Sequence, residues 1–259
     1  MKWHRIKACI LHSWYHLNHC METWIDLFWF ALINVFVFGF ISSYLTKNVG
    51  EANFLIVGIV MWETVVVGQY TVTVGMLWEI WSHSFSNIFV SPLTFWEFVW
   101  GQALSGLVKA GVVIAGALLI ANLVFKYNFF SLGWPLIFYF SILFIFAVAA
   151  GIFVNSLIFR FGTDIQSLAW GLIYLLQPIS AIFYPVSVLP PAIRPVAYLS
   201  PVTYIMESIR SQMTVDVVLW NNVGTALGLS IFYLGLSIWI AKRALVRAKE
   251  TGAFARMGG

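Results

Sequence analysis

Three ionisable residues stand inside long apolar runs of the sequence: Asp26, Glu63 and Lys109. A charged side chain at the centre of a bilayer costs at least about 2.5–3.5 kcal/mol, so such residues pair, face a polar cavity or serve function. Glu63 is the deepest and has no basic residue at matching depth. It is the candidate for a substrate-route or gating contact, with an interhelical hydrogen bond as the plainer alternative. Asp26 and Lys109 enter their runs from the same side, which makes them a candidate intramembrane charge pair, or two residues that snorkel. His12 and His16 are spaced i, i+4, with His19 and Cys20 one turn further, a spacing open to zinc or copper. No carboxylate completes that set, and histidines suit the polar face of a surface helix, so no metal is assigned.

Other chemistries lack their parts. There is no GxxxxGK(S/T), HExxH, GxSxG or CxxC motif, and no nucleophile stands with a base beside it. The chain is therefore not expected to be an enzyme, and no cofactor is expected in it. A net charge of +4, without a basic run interleaved with aromatics, gives no footprint for nucleic acid.

The elements that must position these residues are apolar helices. With 61% hydrophobic and 9% charged residues, the 259-residue chain cannot cover a water-soluble globule. An all-α integral membrane protein is expected, with six transmembrane helices at about 23–45, 54–80, 101–125, 134–159, 165–184 and 225–245, each near the ~20 residues a crossing needs. Trp and Tyr at the run ends form the aromatic belt. Gly101, Gly106, Gly111 and Gly116, and the cluster Ala147, Ala149, Ala150 and Gly151, mark close helix approach.

Residues 1–22 read as a cytoplasmic interfacial helix. Ile6, Ile10, Leu17 and Met21, with Trp3 and Trp14, form an apolar stripe against Lys2, Arg5, His12, His16 and His19. Residues 246–259 read as a basic cytoplasmic tail. Basic residues in both tails place both termini in the cytoplasm, in a multi-pass protein of the cytoplasmic (inner) membrane.

Residues 183–210 hold five of the eight prolines. Backbone in hydrocarbon must be internally hydrogen-bonded, so this run sits at the outer surface or dips in from it, as a short re-entrant helical hairpin between spans five and six. Pro190 and Pro191 begin a short helix that Pro195 keeps short. Ser200 and Pro201 begin a second, as N-cap and first helical residue.

Two segments carry a family resemblance. FYPVSVLPPAIRPVAYLSPVTYIMESIR matches Pro185, Leu189-Pro190, Pro201 and Arg210 in order, and NIFVSPLTFWEFVWGQAL matches Ser91, Pro92, Leu93, Glu97 and Gly101. In these the chain resembles the permease subunits of ABC-2 type ATP-binding-cassette exporters, over essentially its whole length. The resemblance implies a transport subunit that moves a drug, lipid or lipid-linked glycan outward. It further implies a dimer, with itself or a homologous permease, in contact with membrane lipid, and a separate ATPase subunit that binds the ATP and Mg. An ATPase-independent channel or small-solute carrier is the alternative. The hairpin then supplies an exit gate (Pro185, Pro190, Pro191, Pro195, Pro201, Arg210). Trp81–Val90 supplies the ATPase-coupling segment, where the family usually carries several charges and this chain has few. Trp81, His83, Phe85, Ile88 and Phe89 are its candidate residues, and the aromatic and aliphatic ones share a helical face.

Overall fold

The computed structural model describes residues 2–45, 49–82 and 92–250; the side chains of residues 45, 49–52 and 249 are outside that description. All regular structure among the described residues is helical. Eight helices organise it: α1 (Trp3–His19), α2 (Met21–Tyr44), α3 (Val49–Trp81), α4 (Phe95–Leu123), α5 (Pro135–Phe161), α6 (Leu168–Leu176), α7 (Pro201–Val215) and α8 (Trp220–Glu250). Among the described residues, five helices are long and apolar enough to cross a membrane: α2, α3 from Asn53, α4, α5 and α8 up to Ala248.

The expected fifth span, 165–184, differs. Its α-helix is the nine-residue α6, followed by turns at 177–181 and bends at 182–184. Pro178 lacks the N–H that would continue the ladder, and Ala181 takes the left-handed conformation (φ 51°), so the run loses regular helix where the apolar count carries on. The helix that holds the expected third span begins before residue 101, at Phe95. Thr94 accepts from the Glu97 N–H and Glu97 Oε2 accepts from the Thr94 N–H, a reciprocal cap that starts α4 at Phe95.

α3 lies at the centre of the bundle, packed against α2, α4, α5, α6 and α7 and buried along nearly all of its length from Phe54 to Ile80. That burial explains its composition: Glu63, Thr64, Gln69, Thr71 and Thr73 are polar, and polar side chains in a membrane protein turn toward other helices rather than lipid. Close approach to α5 depends on two glycines. A Cβ at Gly151 would stand 2.8 Å from Val72 Cβ, and one at Gly68 2.8 Å from Ala147 Cβ. The even spacing in α4 has no such uniform role: Gly106 faces Thr71, while Gly111 has open space beside it.

α1 leans along the first turns of α4 and runs the same way. Lys2 meets Glu97, Cys9 packs over Gly101, and Ser13 reaches Ser105. Its buried face is Ile6, Cys9, Ser13 and Leu17, narrower than the expected stripe, and Met21 is 77% exposed. At the opposite end of the bundle, Trp134 and Trp220 stack with centroids 4.8 Å apart, aligning the starts of α5 and α8.

Candidate functional site

The three ionisable residues of the apolar runs each take a polar partner on a neighbouring helix, with Glu63 and Lys109 buried and Asp26 half-buried. Glu63, 3% exposed, accepts a hydrogen bond from Asn34 Nδ2 at 2.8 Å, which ties α3 to α2. Asp26 and Lys109 do not pair with each other. Asp26 Oδ2 accepts from the Tyr70 hydroxyl at 2.7 Å, and Lys109 Nζ donates to Ser13 Oγ at 2.8 Å. The reason is local: Asp26 lies in a π-helical turn, Ile25–Trp29, whose changed register accompanies its contact with α3, while α1 lies over Lys109.

The histidines of α1 separate as well. His12 Nδ1 lies 3.4 Å from Glu79 Oε1, His16 stacks obliquely on Trp78 at 4.7 Å, and His19 Nδ1 meets the Tyr15 carbonyl at 2.8 Å. Among the described residues, no group of three His, Cys, Asp or Glu side chains converges as a metal requires. Burial first, then Lys109 and His12, hold the His16 imidazole below its ordinary value, against an opposing pull from Glu79. Burial, then Glu79 and Glu97, push the Cys9 thiol up to about 11.

At the end of α3, Trp81 is anchored. Its Nε1 donates to Gln166 Oε1 at 2.9 Å, its ring stacks on Trp170 at 6.1 Å and meets Trp78 edge-on at 5.1 Å. His83, Phe85, Ile88 and Phe89 lie outside the described residues. Glu97, matched only through the family resemblance, emerges as the hub of this end: besides capping α4 it accepts from the Lys2 N–H at 2.7 Å and from Arg5 Nη1 at 3.3 Å.

The proline-rich segment folds as one unit with α7. Pro185 precedes a 3-10 turn at Val186–Val188, and a single helical turn at Arg194–Ala197 follows. Pro195 sits in the first residues of that turn, so it opens the helical turn rather than closing one begun at Pro190-Pro191. Pro201 opens α7 as expected, but Ser200 makes no side-chain cap; its hydroxyl meets Ser180 Oγ at 2.9 Å instead. Several carbonyls in and beside this segment take side-chain donors. Arg194 donates to the Leu189 and Ser187 carbonyls at 2.9 and 2.6 Å, Thr203 to the Ala197 carbonyl at 2.7 Å, and Tyr184 to the Pro178 carbonyl.

Arg210 sits within α7 rather than at its end and holds the segment to the bundle. It pairs with Glu207 at 2.5 Å, lies 4.3 Å from the Phe54 ring centroid and reaches the Ala181 carbonyl at 3.4 Å. Glu207 Oε1 in turn accepts from the Val186 N–H at 3.0 Å. Neither Glu207 nor Arg194 stands among the residues that the sequence motifs mark. An i, i+3 Glu–Arg pair beside a proline-dense run is the signal that could have found Glu207.

No curated protein matches the chain significantly. The family model for the ABC-2 type transporter matches residues 19–214, from the end of α1 to the last turn of α7. With a match over most of its length that takes in the central helix α3 and the proline-rich hairpin, the chain belongs to the ABC-2 type transporter family.

Proposed function

We propose that the chain is the permease subunit of an ATP-driven exporter, moving a hydrophobic or amphipathic molecule such as a drug, lipid or lipid-linked glycan outward, as a dimer powered by a separate ATPase. The family match over residues 19–214 carries this reading. Six crossings, the fifth interrupted, fit it: α5 ends at Phe161, α8 begins beside the start of α5, and the chain between them must return the length of α5. Both termini are then cytoplasmic, with the hairpin and α7 on the outer side.

In this reading ATP and Mg bind the partner subunit, and the chain itself does not hydrolyse nucleotide. The coupling segment Trp81–Val90 leaves the anchored ring of Trp81 and docks by apolar side chains into a cleft on the ATPase. Glu63 lines the route, and the Arg210–Glu207 clasp opens for release.

The test is affinity purification of the tagged chain from its native membrane. ATP hydrolysis should co-elute with a second chain in equal stoichiometry, and Phe85→Asp should lose that chain while still inserting. Solute flux through liposomes holding this chain alone, without nucleotide, would instead establish a channel or carrier.

A further inference from the structure

Two concavities follow one another along the seam between α5 and α8. The outer one, of about 430 Å³, has Phe146, Ala150 and Phe153 of α5 as its floor, with α6 and α8 as walls and the hairpin above. Its polar side chains are already engaged: Ser180 and Ser200 bond each other, and Ser237 Oγ donates to the Leu234 carbonyl at 3.0 Å. The inner one, of about 480 Å³, opens where Arg160 of α5 and Arg243 and Arg247 of α8 converge, and Glu250 stands beside Arg243 and Arg247 in the adjoining surface concavity. Phe153 lines both, so apolar groove and basic mouth adjoin.

We propose that this seam is a binding site for an anionic phospholipid of the cytoplasmic leaflet, a role that rests on the orientation proposed above and not on what the protein transports. Guanidinium groups recognise phosphate through paired N–H donors, and a basic pocket between helices at the cytoplasmic membrane surface suits an anionic headgroup. Aromatic rings hold two of them in place: Arg243 lies 3.9 Å from the Trp239 ring centroid and Arg160 5.2 Å from that of Phe161.

Length agrees with one leaflet. From Arg160 to Ala149 an α-helix rises about 16 Å, close to half of a hydrocarbon core about 30 Å thick. An acyl chain would run along α5 past Phe153 while the phosphate stays at the arginines. A polar solute finds no free hydrogen-bonding side chain in the outer concavity, and a second copy docked here by two-fold symmetry would bring six guanidiniums together.

The test uses the full chain in nanodiscs of equal parts phosphatidylglycerol and phosphatidylcholine, extracted gently and weighed intact. Phosphatidylglycerol should be retained at one per chain, at least about tenfold over phosphatidylcholine, and Arg160→Gln and Arg243→Gln should each weaken it about fivefold. Arg160→Gln/Arg243→Gln/Arg247→Gln should abolish the preference. Lys242→Gln should keep it, because that ammonium lies over Trp96, 5.8 Å from the ring centroid, and does not line the inner concavity. Ala150→Trp should expel the lipid with the arginines intact. Retention unchanged in the triple variant, equal loss in Lys242→Gln, or no preference for phosphatidylglycerol in the wild-type chain would overturn the site. All the substituted arginines are exposed, and a thermal unfolding curve run on each variant separates lost lipid from lost fold.

Discussion

Glu63 and Cys9 are two buried residues whose behaviour their neighbours decide. Glu63→Gln keeps an oxygen for Asn34 Nδ2, whereas Glu63→Leu leaves that donor without an acceptor. Thermal unfolding in detergent should therefore be nearly unchanged for Glu63→Gln, and Glu63→Leu should cost about 1–2 kcal/mol. Altered substrate-stimulated ATP hydrolysis in Glu63→Gln, with stability intact, is the outcome expected if the carboxyl lines the route; unchanged kinetics would reduce it to a helix-to-helix bond. For Cys9, a thiol pushed up to about 11 is thiolate to about one part in a thousand at pH 8. An alkylating reagent at that pH should modify Cys20, which is less buried, well before Cys9. Equal rates would show that α1 leaves α4 readily.

Among the elements, α1 and the hairpin are held by polar contacts that can be undone separately. Burial, then Lys109 and His12, outweigh Glu79 at the His16 imidazole, so its folded value lies below its unfolded one. A depressed value makes the docked form the better one when deprotonated: its contribution is present above the unfolded value near 6.5 and fades as pH falls below it. Proteolysis between α1 and α2 should accelerate from pH 7 to pH 5, and His16→Phe should flatten the dependence. In the hairpin, Arg210→Met removes the clasp and leaves Glu207 holding only the Val186 N–H. Because the pair is partly exposed, a loss of about 1–2 kcal/mol is expected, between surface and buried values. A cysteine at position 187, which is exposed, should react with an impermeant reagent from outside, and one at position 200, only 8% exposed, should react slowly until Arg210→Met loosens the segment. Labelling of both from the cytoplasmic side alone would invert the topology.

For the molecule as a whole, the question is how many times the chain crosses. Six crossings put both termini on one side and five put them on opposite sides, so reporters fused to each end decide it; reporters on opposite sides would leave 162–219 without a crossing. The four apolar runs of α2 to α5 and that of α8 were legible because length and composition alone define them. The interruption after α6 was not, because a hydrophobicity count treats Gln177-Pro178 as two residues among twenty. Thr94-x-x-Glu97 ahead of an apolar run was also readable as a capping box, which would have placed the start of α4 correctly. Partner choice was less legible. Nothing in the spacing of Asp26 and Lys109 reveals that Tyr70 and Ser13 reach them first, since that depends on how α1, α2 and α3 are rotated.

The π-helical turn at Ile25–Trp29 has a genetic consequence. A turn of this kind is equivalent to one extra residue accommodated within an α-helix. Removing a single residue from it should restore regular helix, leave Phe30 to Tyr44 in register with α3, and swing everything before it by about 100°. Asp26 would then point away from Tyr70, and α1 would lose its alignment with Glu97. A one-residue deletion here thus acts as a change of register in space: the chain downstream still inserts, and only α1 is aimed at the wrong neighbour.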